Sequence, residues 1–349
     1  MLKRIKAGEL FNDEAIIDDH HQEIRNALTI DHSAEFAIAA GNAYFRAWSA
    51  SSGVARLRLE HDCIQDYVRC AMVIKNENLL VSIRLILDAF HKNKPKAGID
   101  EMLYRIYEPV LWRSLNASNP QVRLHAAVIF FASFPLHDPS TDLNTLDQQQ
   151  ERNICAIETL LQDSCVGVRI MAANASGELL RVFWDSLTVE HKRRLLTQLG
   201  ELCLDGSSAN IRWTAVRALS LLGQQISSSH IALRDVLCSV GGVLIGDSSV
   251  RVRRAFAQML LKLRDTPLFR IEKIIPLHAI VAAMCAERFD REISLEYAQL
   301  LYPSFLPEGN KISQEGDNQM QKDEDGSSDE SDNTQAIDPS TLAVRQDNK

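Results

Sequence analysis

Two versions of one sequence unit decide the fold: Asp205-Gly206-Ser207-Ser208-Ala209-Asn210-Ile211-Arg212 and Asp247-Ser248-Ser249-Val250-Arg251-Val252-Arg253. Each version is rich in Asp and Ser, places an arginine beside an apolar residue, and leads into an apolar run. In both runs the apolar residues are spaced i, i+4, i+7, i+8 and i+11, a spacing that shares one face of an α-helix. The stretch therefore predicts two copies of a turn followed by an amphipathic helix.

The same template fits five segments of the chain, whose first residues are Val122, Val168, Ile211, Val252 and Ile293. These residues lie 46, 43, 41 and 41 positions apart. Such intervals are typical of HEAT and armadillo repeats of about 40 to 47 residues, in which each unit is a pair of helices. The remaining template residues are Ala126, Ile129, Phe130 and Ser133; Ala172, Ala175, Ser176 and Leu179; Ala215, Ala218, Leu219 and Leu222; Phe256, Met259, Leu260 and Leu263; Tyr297, Leu300, Leu301 and Ser304.

The predicted fold class is all-α: a HEAT/armadillo-like α-solenoid of stacked antiparallel helix pairs, with a disordered acidic C-terminal tail. We expect the Asp, Ser and Asn side chains of each turn to cap the following helix, because they accept from N–H groups that lack intrahelical partners. Three segments are predicted: a partly irregular N-terminal helical segment (1–60), the repeat array (61–306) and the tail (307–349). Within the array, residues 138–150 are predicted to form a polar loop between repeats.

The composition indicates a soluble intracellular protein. Residues 1–14 are polar and charged, unlike a signal peptide, and the longest apolar runs, 124–136 and 236–246, are shorter than the about 20 residues that span a bilayer. The seven cysteines are scattered singly without a C-x-x-C motif, which favours reduced thiols over disulfides or zinc ligands. The opening run 2–6 resembles the end of a helix, so we expect a fragment or a short isoform.

Most of the net charge of −8 comes from the tail. Residues 307–349 carry 11 acidic and 4 basic side chains, which leaves 35 acidic and 34 basic side chains in residues 1–306. Because the body is nearly neutral, affinity for nucleic acid requires a local basic surface. The tail is too polar to offset the entropy of ordering. Its segment 327–332 fits an acidic-directed phosphorylation site, although a purely solvating role is the favoured interpretation.

Arginines recur once per repeat, at Arg123, Arg169, Arg212 and Arg253. In one interpretation they form a basic ladder along the concave face. In the favoured one, each pairs with an aspartate of a neighbouring turn, such as Asp163, Asp205 or Asp247, and joins the repeats. A feature that recurs with the repeat is expected of a structural device.

Clusters of basic residues that exceed one arginine per repeat are the candidate contacts with DNA or a partner: Lys192, Arg193, Arg194, Arg251, Arg253, Arg254, Lys262 and Arg264. They occur in adjacent repeats, so we predict a single surface that contacts the phosphates of duplex DNA without reading its sequence. The alternative is that they are ordinary charged residues on solvated helix faces.

The sequence indicates neither an enzyme nor a cofactor. It contains no phosphate-binding G-x-x-x-x-G-K-[ST] motif, no serine-nucleophile G-x-S-x-G motif and no zinc-binding H-E-x-x-H motif. We therefore propose no catalytic residue. The densest set of potential metal ligands is Asp18, Asp19, His20, His21 and Glu23. Adjacent histidines diverge by about 100° on a helix, so a solvated surface segment is expected there instead of a metal site. Tyr104, Tyr107 and Trp112 are expected to pack in the core or between repeats.

Several stretches resemble the G-type HEAT-repeat subunit of the condensin II complex. The most specific is Met102-Leu103-Tyr104-Arg105-Ile106-Tyr107-Glu108-Pro109-Val110-Leu111-Trp112-Arg113-Ser114-Leu115. Supporting stretches are 62–66, Val122-Arg123, Phe134-Pro135-Leu136-His137-Asp138-Pro139, 205–212, 252–262 and 304–307. The resemblance covers about residues 55–307, and members of the family are much longer.

The resemblance implies a non-catalytic, non-SMC subunit that acts in mitotic chromosome condensation, in the nucleus and on chromosomes. In that family the SMC partner subunits hold the ATPase, while the HEAT subunit binds the kleisin subunit and contributes to DNA contact. No membrane is involved. The alternative hypothesis is a general HEAT-repeat adaptor for cytoplasmic protein assembly without a DNA role, since the fold alone does not determine the partner.

Overall fold

The computed structural model describes residues 2–7, 11, 16–225, 227–266, 268–286 and 291–305, and these residues contain helices and no strand. The predicted disordered tail and its segment 327–332 lie outside them. The α-helices are α1 (Leu2–Ala7), α2 (Ile17–Leu28), α3 (Ala34–Ala50), α4 (Gly53–Arg58), α5 (Gln65–Val73), α6 (Glu77–His91), α7 (Ile99–Leu115), α8 (Pro120–Ser133), α9 (Leu143–Leu161), α10 (Val166–Phe183), α11 (Val189–Cys203), α12 (Ala209–Gln225), α13 (His230–Leu244), α14 (Val250–Leu263), α15 (Ile271–Ile274), α16 (Leu277–Ala286) and α17 (Arg291–Phe305).

Successive helices pair into repeats. Turns of four or five residues join α7 to α8, α9 to α10, α11 to α12, and α13 to α14, and such short connections make each pair antiparallel. The second helices form one layer, in which α8, α10, α12, α14 and α17 pack in that order. The first helices α9, α11 and α13 form the other layer, followed by α15. The predicted all-α solenoid of stacked helix pairs is therefore confirmed.

The second helices bury the template residues. All of them are fully buried except Val122 and Ala175, which are partly buried, and Ser304, whose side chain is not described. Small residues bring the layer close together: a Cβ on Gly177 of α10 would lie 2.7 Å from the Cβ of Ala218 in α12. The core is thus continuous from repeat to repeat, as expected when each helix pair covers its neighbour.

The loop predicted at residues 138–150 is wrong over most of its length. Helix α9 begins at Leu143, and Asp142 caps it by accepting from the backbone N–H of Thr145 at 2.8 Å. Asn153 and Gln149 face back to the preceding segment, where they bind backbone groups of Leu136 and Asp138. The polar residues of this helix therefore have structural partners, and their polarity does not indicate a loop.

A π-helical segment, 59–64, joins α4 to α5 in one continuous helix. Its Glu60 is fully buried and accepts from Nε1 of Trp48 at 2.8 Å and from Nη2 of Arg105 at 2.5 Å. Arg105 belongs to the stretch that carries the family resemblance. This ion pair connects α7 to the N-terminal helices.

Candidate functional site

Three arginines at equivalent positions each bind the aspartate in the turn of the following repeat: Arg123–Asp163, Arg169–Asp205 and Arg212–Asp247. Arg212 donates from Nε and Nη2 to the two carboxylate oxygens of Asp247, at 2.6 and 2.9 Å. Arg123 makes the same two-point contact at 2.6 and 2.7 Å. The interpretation of the ladder as a structural device between repeats is confirmed at these three positions.

Each ladder arginine also binds its own turn. Nη1 of Arg212 donates to the carbonyl oxygen of Asp205 at 2.9 Å, and Nη1 of Arg253 donates to that of Asp247 at 2.6 Å. Both carbonyls lie in a turn outside the hydrogen-bond pattern of the helices, so these contacts supply them with donors. One guanidinium therefore fixes the turn of its own repeat and, in the three pairs above, the turn of the next.

The ladder aspartates are held in the ionised form. Burial acts to raise the pKa of Asp247, but hydrogen bonds from Arg212 and the Ser249 backbone N–H outweigh it and the pKa lies below its usual range. Asp163 behaves in the same way, with donors from Arg123 and Cys165. Because the paired guanidiniums are already neutralised, the ladder offers little charge to an external ligand.

The basic candidates of α11 have intramolecular partners. Lys192 places Nζ 5.0 Å from the centre of the Trp184 ring, and Arg193 binds the exposed Glu190 on the same helix at 2.6 Å. Arg194 is only partly exposed and binds Glu151 at 2.7 Å and also Glu158, both on α9. Arg194 therefore joins two first helices, much as the ladder joins turns.

The second group of candidates lies on or just after α14. Arg254 forms an ion pair with Glu292 at 3.1 Å, and Arg264 donates to the backbone carbonyl of Gln299 at 3.0 Å. Lys262 is exposed, and Arg253 belongs to the ladder. Arg251 is exposed and donates to the side-chain amide oxygen of Asn210 at 3.0 Å.

The structure separates these candidates into two groups. Lys192, Arg193 and Arg194 lie on α11, a first helix, whereas the others belong to α14 and the residue that follows it. Since first and second helices occupy different layers, the expected single surface becomes one surface on each layer. The α14 group extends over the face of α12 through Asn210.

Two residues that the sequence analysis missed complete the α14 group. Two guanidiniums stack on the Trp213 ring: Cζ of Arg251 is 3.5 Å from the ring centre and Cζ of Arg217 is 4.8 Å from it. Among the described residues neither arginine binds a carboxylate. The i, i+4 spacing of Trp213 and Arg217 on α12 was the available signal. We call Arg217, Trp213 and Arg251 the tryptophan stack.

The N-terminal histidines are not on a solvated surface segment, contrary to expectation. His20 and His21 are buried. Nδ1 of His21 is 2.7 Å from the Tyr44 hydroxyl, and its Nε2 is 3.3 Å from Asp66. Burial lowers the pKa of His21 despite the nearby Asp66 carboxylate. The described residues contain no cluster of three potential metal ligands.

The predicted packing aromatics and the cysteines differ in how deeply they are buried. Tyr107 is fully buried and Trp112 nearly so, while Tyr104 is partly buried, as expected for packing residues. Among the described residues no two cysteines form a disulfide, and only Cys63 and Cys203 are buried. Among the described residues, no helix combines the length and the apolar character that crossing a membrane requires.

The family model that matches is described as condensin II non structural maintenance of chromosomes subunit, and it covers residues 6–138. The match starts well before residue 55, where the resemblance was expected to begin. Proteins named condensin-2 complex subunit G2 are similar over most of the chain. The Xenopus laevis protein is 33% identical over 76% of this chain and 23% of its own length, and the Homo sapiens protein has the same values. The Mus musculus protein is 31% identical over 82% of this chain and 25% of its own length.

This chain thus spans about a quarter of the length of the curated relatives it matches. Among solved structures, a designed armadillo repeat protein in complex with the peptide (KR)4 aligns with a TM-score of 0.43 and 15% identity. That alignment covers 68% of this chain and 98% of the designed protein.

Proposed function

The chain belongs to the family of condensin II G2 subunits, which are non-catalytic, and from this premise we propose that it is a scaffold of a condensin II-like complex. It binds a kleisin subunit, assembles through it with the SMC ATPase subunits, and contributes to DNA contact in mitotic chromosome condensation. Its proposed location in the cell is the nucleus, on the chromosomes. The observation that carries the DNA role is the tryptophan stack.

The tryptophan stack supports a contact with DNA phosphates. Its two guanidiniums are exposed, lack a carboxylate partner among the described residues, and are positioned by one indole ring. Stacking on an aromatic face reduces the conformational freedom that an arginine loses on binding, and a pair of unneutralised cations attracts phosphates without reading the bases. Lys262 is exposed on the neighbouring α14 and adds a further positive charge to the same layer.

A groove between the first helices α11 and α13 supports the kleisin contact. It has a volume of about 800 Å³ and is lined mainly by apolar side chains, among them Leu196, Ile231, Val236 and Val240. Ile231 is largely exposed. An apolar groove between helices is suited to the apolar side chains of a partner segment. The two proposed surfaces lie on different layers, so both partners can bind at once.

Charge reversal tests the DNA contact. We expect Arg217→Glu combined with Arg251→Glu to weaken binding of duplex DNA by about tenfold or more, and to reduce the dependence of affinity on salt because two phosphate contacts are lost. Fluorescence anisotropy with a labelled duplex gives both quantities. Arg113→Glu, at an exposed site on α7, is the matched control and should leave the affinity nearly unchanged. Equal losses for both variants contradict the stack as the contact.

A substitution in the groove tests the kleisin contact. Ile231→Glu should prevent co-purification of the kleisin subunit, while Val182→Glu, at a comparably exposed valine on α10, should not. The general adaptor without a DNA role is the alternative function, and the apolar groove is equally compatible with it. Intact partner binding together with salt-insensitive or absent DNA binding favours that alternative.

A further inference from the structure

The groove between α11 and α13 follows the whole length of α11. Its lining on that helix begins at Val189, includes Leu196 and Gly200, and ends at Leu204, just after the last helical residue. These residues are spaced by seven, four and four positions, so they lie on one face of the helix. At about 1.5 Å per residue the groove is about 22 Å long, which is the length of about four turns of a partner helix.

Large apolar side chains of the groove lining are exposed to water. Val189 is 81% exposed, Ile231 58% and Leu204 44%. Between them, Gly200 lets the two helices meet at the floor, since a Cβ on it would lie 2.9 Å from Cγ1 of Val236. Exposed apolar side chains that line one groove indicate a surface that a partner covers.

The walls of the groove offer no backbone hydrogen bonds to a partner. Both walls are α-helices, whose backbone groups are paired within each helix. The floor side chains Leu196, Val236 and Val240 are apolar. An extended segment placed there would leave its own N–H and C=O groups unpaired, which is costly, whereas a helix pairs them internally. The groove therefore favours a helical partner over an extended one.

The same two helices already hold a helix on their other side. Helix α12 packs against both α11 and α13, and none of its described side chains lines the groove. The ridges of side chains on neighbouring helices leave a trough that suits the side-chain ridge of a third helix. A partner helix in the groove would repeat, on the outer side, the packing that α12 makes on the inner side.

The rim of the groove carries unpaired acidic side chains. Asp185 and Glu201 are exposed, and neither has an ion-pair partner among the described residues. The basic residues of the lining are engaged within the chain: Arg193 binds Glu190, and Lys192 lies over a tryptophan ring. Charge complementarity therefore favours a partner with lysine or arginine residues beside its apolar face.

We propose that this groove binds a basic amphipathic α-helix of the kleisin subunit, about 15 residues long. Its apolar face packs on the exposed Val189, Ile231 and Leu204, and its basic side chains lie near Asp185 and Glu201. The inference rests on the proposed kleisin contact and adds the conformation, length and charge of the bound segment.

Photo-cross-linking from the two ends of the groove tests the conformation. Val189→p-benzoylphenylalanine and Leu204→p-benzoylphenylalanine are each irradiated in complex with the kleisin subunit, and mass spectrometry identifies the cross-linked kleisin residues. A helix, at about 1.5 Å per residue, places the two cross-linked sites about 15 kleisin residues apart. An extended segment, at about 3.3 Å per residue, places them about 7 apart. We expect the helical separation. Val182→p-benzoylphenylalanine, at an exposed site on α10, is the control and should give no cross-link.

Charge reversal tests the basic character of the bound helix. Asp185→Lys combined with Glu201→Lys should weaken kleisin binding by about tenfold, because like charges then face each other across the rim. Asp62→Lys combined with Asp147→Lys makes the same change of charge at exposed residues outside the groove and should leave the affinity nearly unchanged. Affinities are measured by titrating the labelled kleisin subunit.

The outcomes separate this proposal from the kleisin contact on which it rests. A separation of about 7 residues between the two cross-linked sites, or unchanged affinity of the Asp185 and Glu201 variant, overturns the basic helix while the kleisin contact stands. A kleisin subunit that does not co-purify, or that co-purifies without a cross-link from either end, overturns the contact at this groove and the helix with it.

Discussion

Arg212 and Asp247 belong to adjacent repeats, and their side chains form a two-point ion pair that connects one turn to the next. Both are largely removed from water, with 13% and 5% of the side chains exposed. In such a site the charges stabilise the fold mainly because each compensates the other. Removal of one partner leaves a buried charge alone.

Asp247→Ala is therefore expected to destabilise the array by about 3 kcal/mol, because Arg212 loses its counter-charge and the Ser249 N–H loses its acceptor. Urea denaturation followed by circular dichroism measures the loss. Arg193→Ala removes an exposed ion pair on α11 and serves as the control, with no change in midpoint expected. Similar midpoints for the two variants contradict a structural role of the ladder.

The pair between Glu151 and Arg194 predicts a dependence of stability on pH. Hydrogen bonds from Arg194, and further ones from Cys155 and His191, lower the pKa of Glu151 from 4.5 to about 2. A carboxylate with a lowered pKa stabilises the fold above pH 4.5, and this contribution is lost as the pH falls towards 2. The wild-type protein should thus be more stable than Glu151→Gln at neutral pH, and the difference should shrink with acidification.

Denaturation midpoints measured from neutral to acidic pH test this prediction. Glu151 is about half exposed, so water screens the pair and the effect is expected to be modest. Glu201→Gln, at an exposed residue with no ion-pair partner among the described residues, is the control. A constant difference between wild type and Glu151→Gln across the pH range contradicts the assignment.

The close approach of α10 and α12 predicts that Gly177 does not tolerate a larger residue. The Cβ of Gly177→Ala would lie 2.8 Å from the Cα of Ala218, so the helices must separate. Overpacking of this kind costs about 1–3 kcal/mol, against about 1 kcal/mol gained from helix propensity. We expect a lower melting temperature, whereas Gly206→Ala, which meets no atom within 4 Å, should be neutral. Equal melting temperatures would falsify the packing argument.

Trp213→Leu separates positioning from charge in the tryptophan stack. Both guanidiniums remain, so the dependence of DNA affinity on salt should be unchanged. The affinity itself should fall by about threefold to tenfold, because the arginines lose the ring that orients them. A changed salt dependence, or an unchanged affinity, argues that Trp213 does not position the arginines. Anisotropy titrations at several salt concentrations provide both values.

Periodicity was sufficient to predict the array. The anchors Val168, Ile211 and Val252 are all fully buried, because a repeated helix face is buried against its repeated neighbour. The ladder was equally predictable, since Arg212 and Asp247 recur at fixed positions of the unit. These features are local patterns, and one sequence is enough to reveal them.

Contacts that do not recur with the repeat were not predictable. The polarity of residues 143–150 indicated a loop, but Gln149 and neighbouring residues bind backbone groups that only the folded chain brings near. Likewise, Arg251 reaches Trp213 across the layer of second helices, and nothing in the spacing of either residue points to the other. The burial of His21 depends on Tyr44 and Asp66 in the same way.

The position of the ladder also determines how the array can bend. Its ion pairs all lie at the edge that holds the turns within repeats, whereas the connections between repeats occupy the opposite edge. We therefore expect the spacing between repeats to change mainly at the edge that lacks these ion pairs, with the row of ion pairs acting as the hinge line. The elasticity of the array under load would then depend on the direction in which it is pulled.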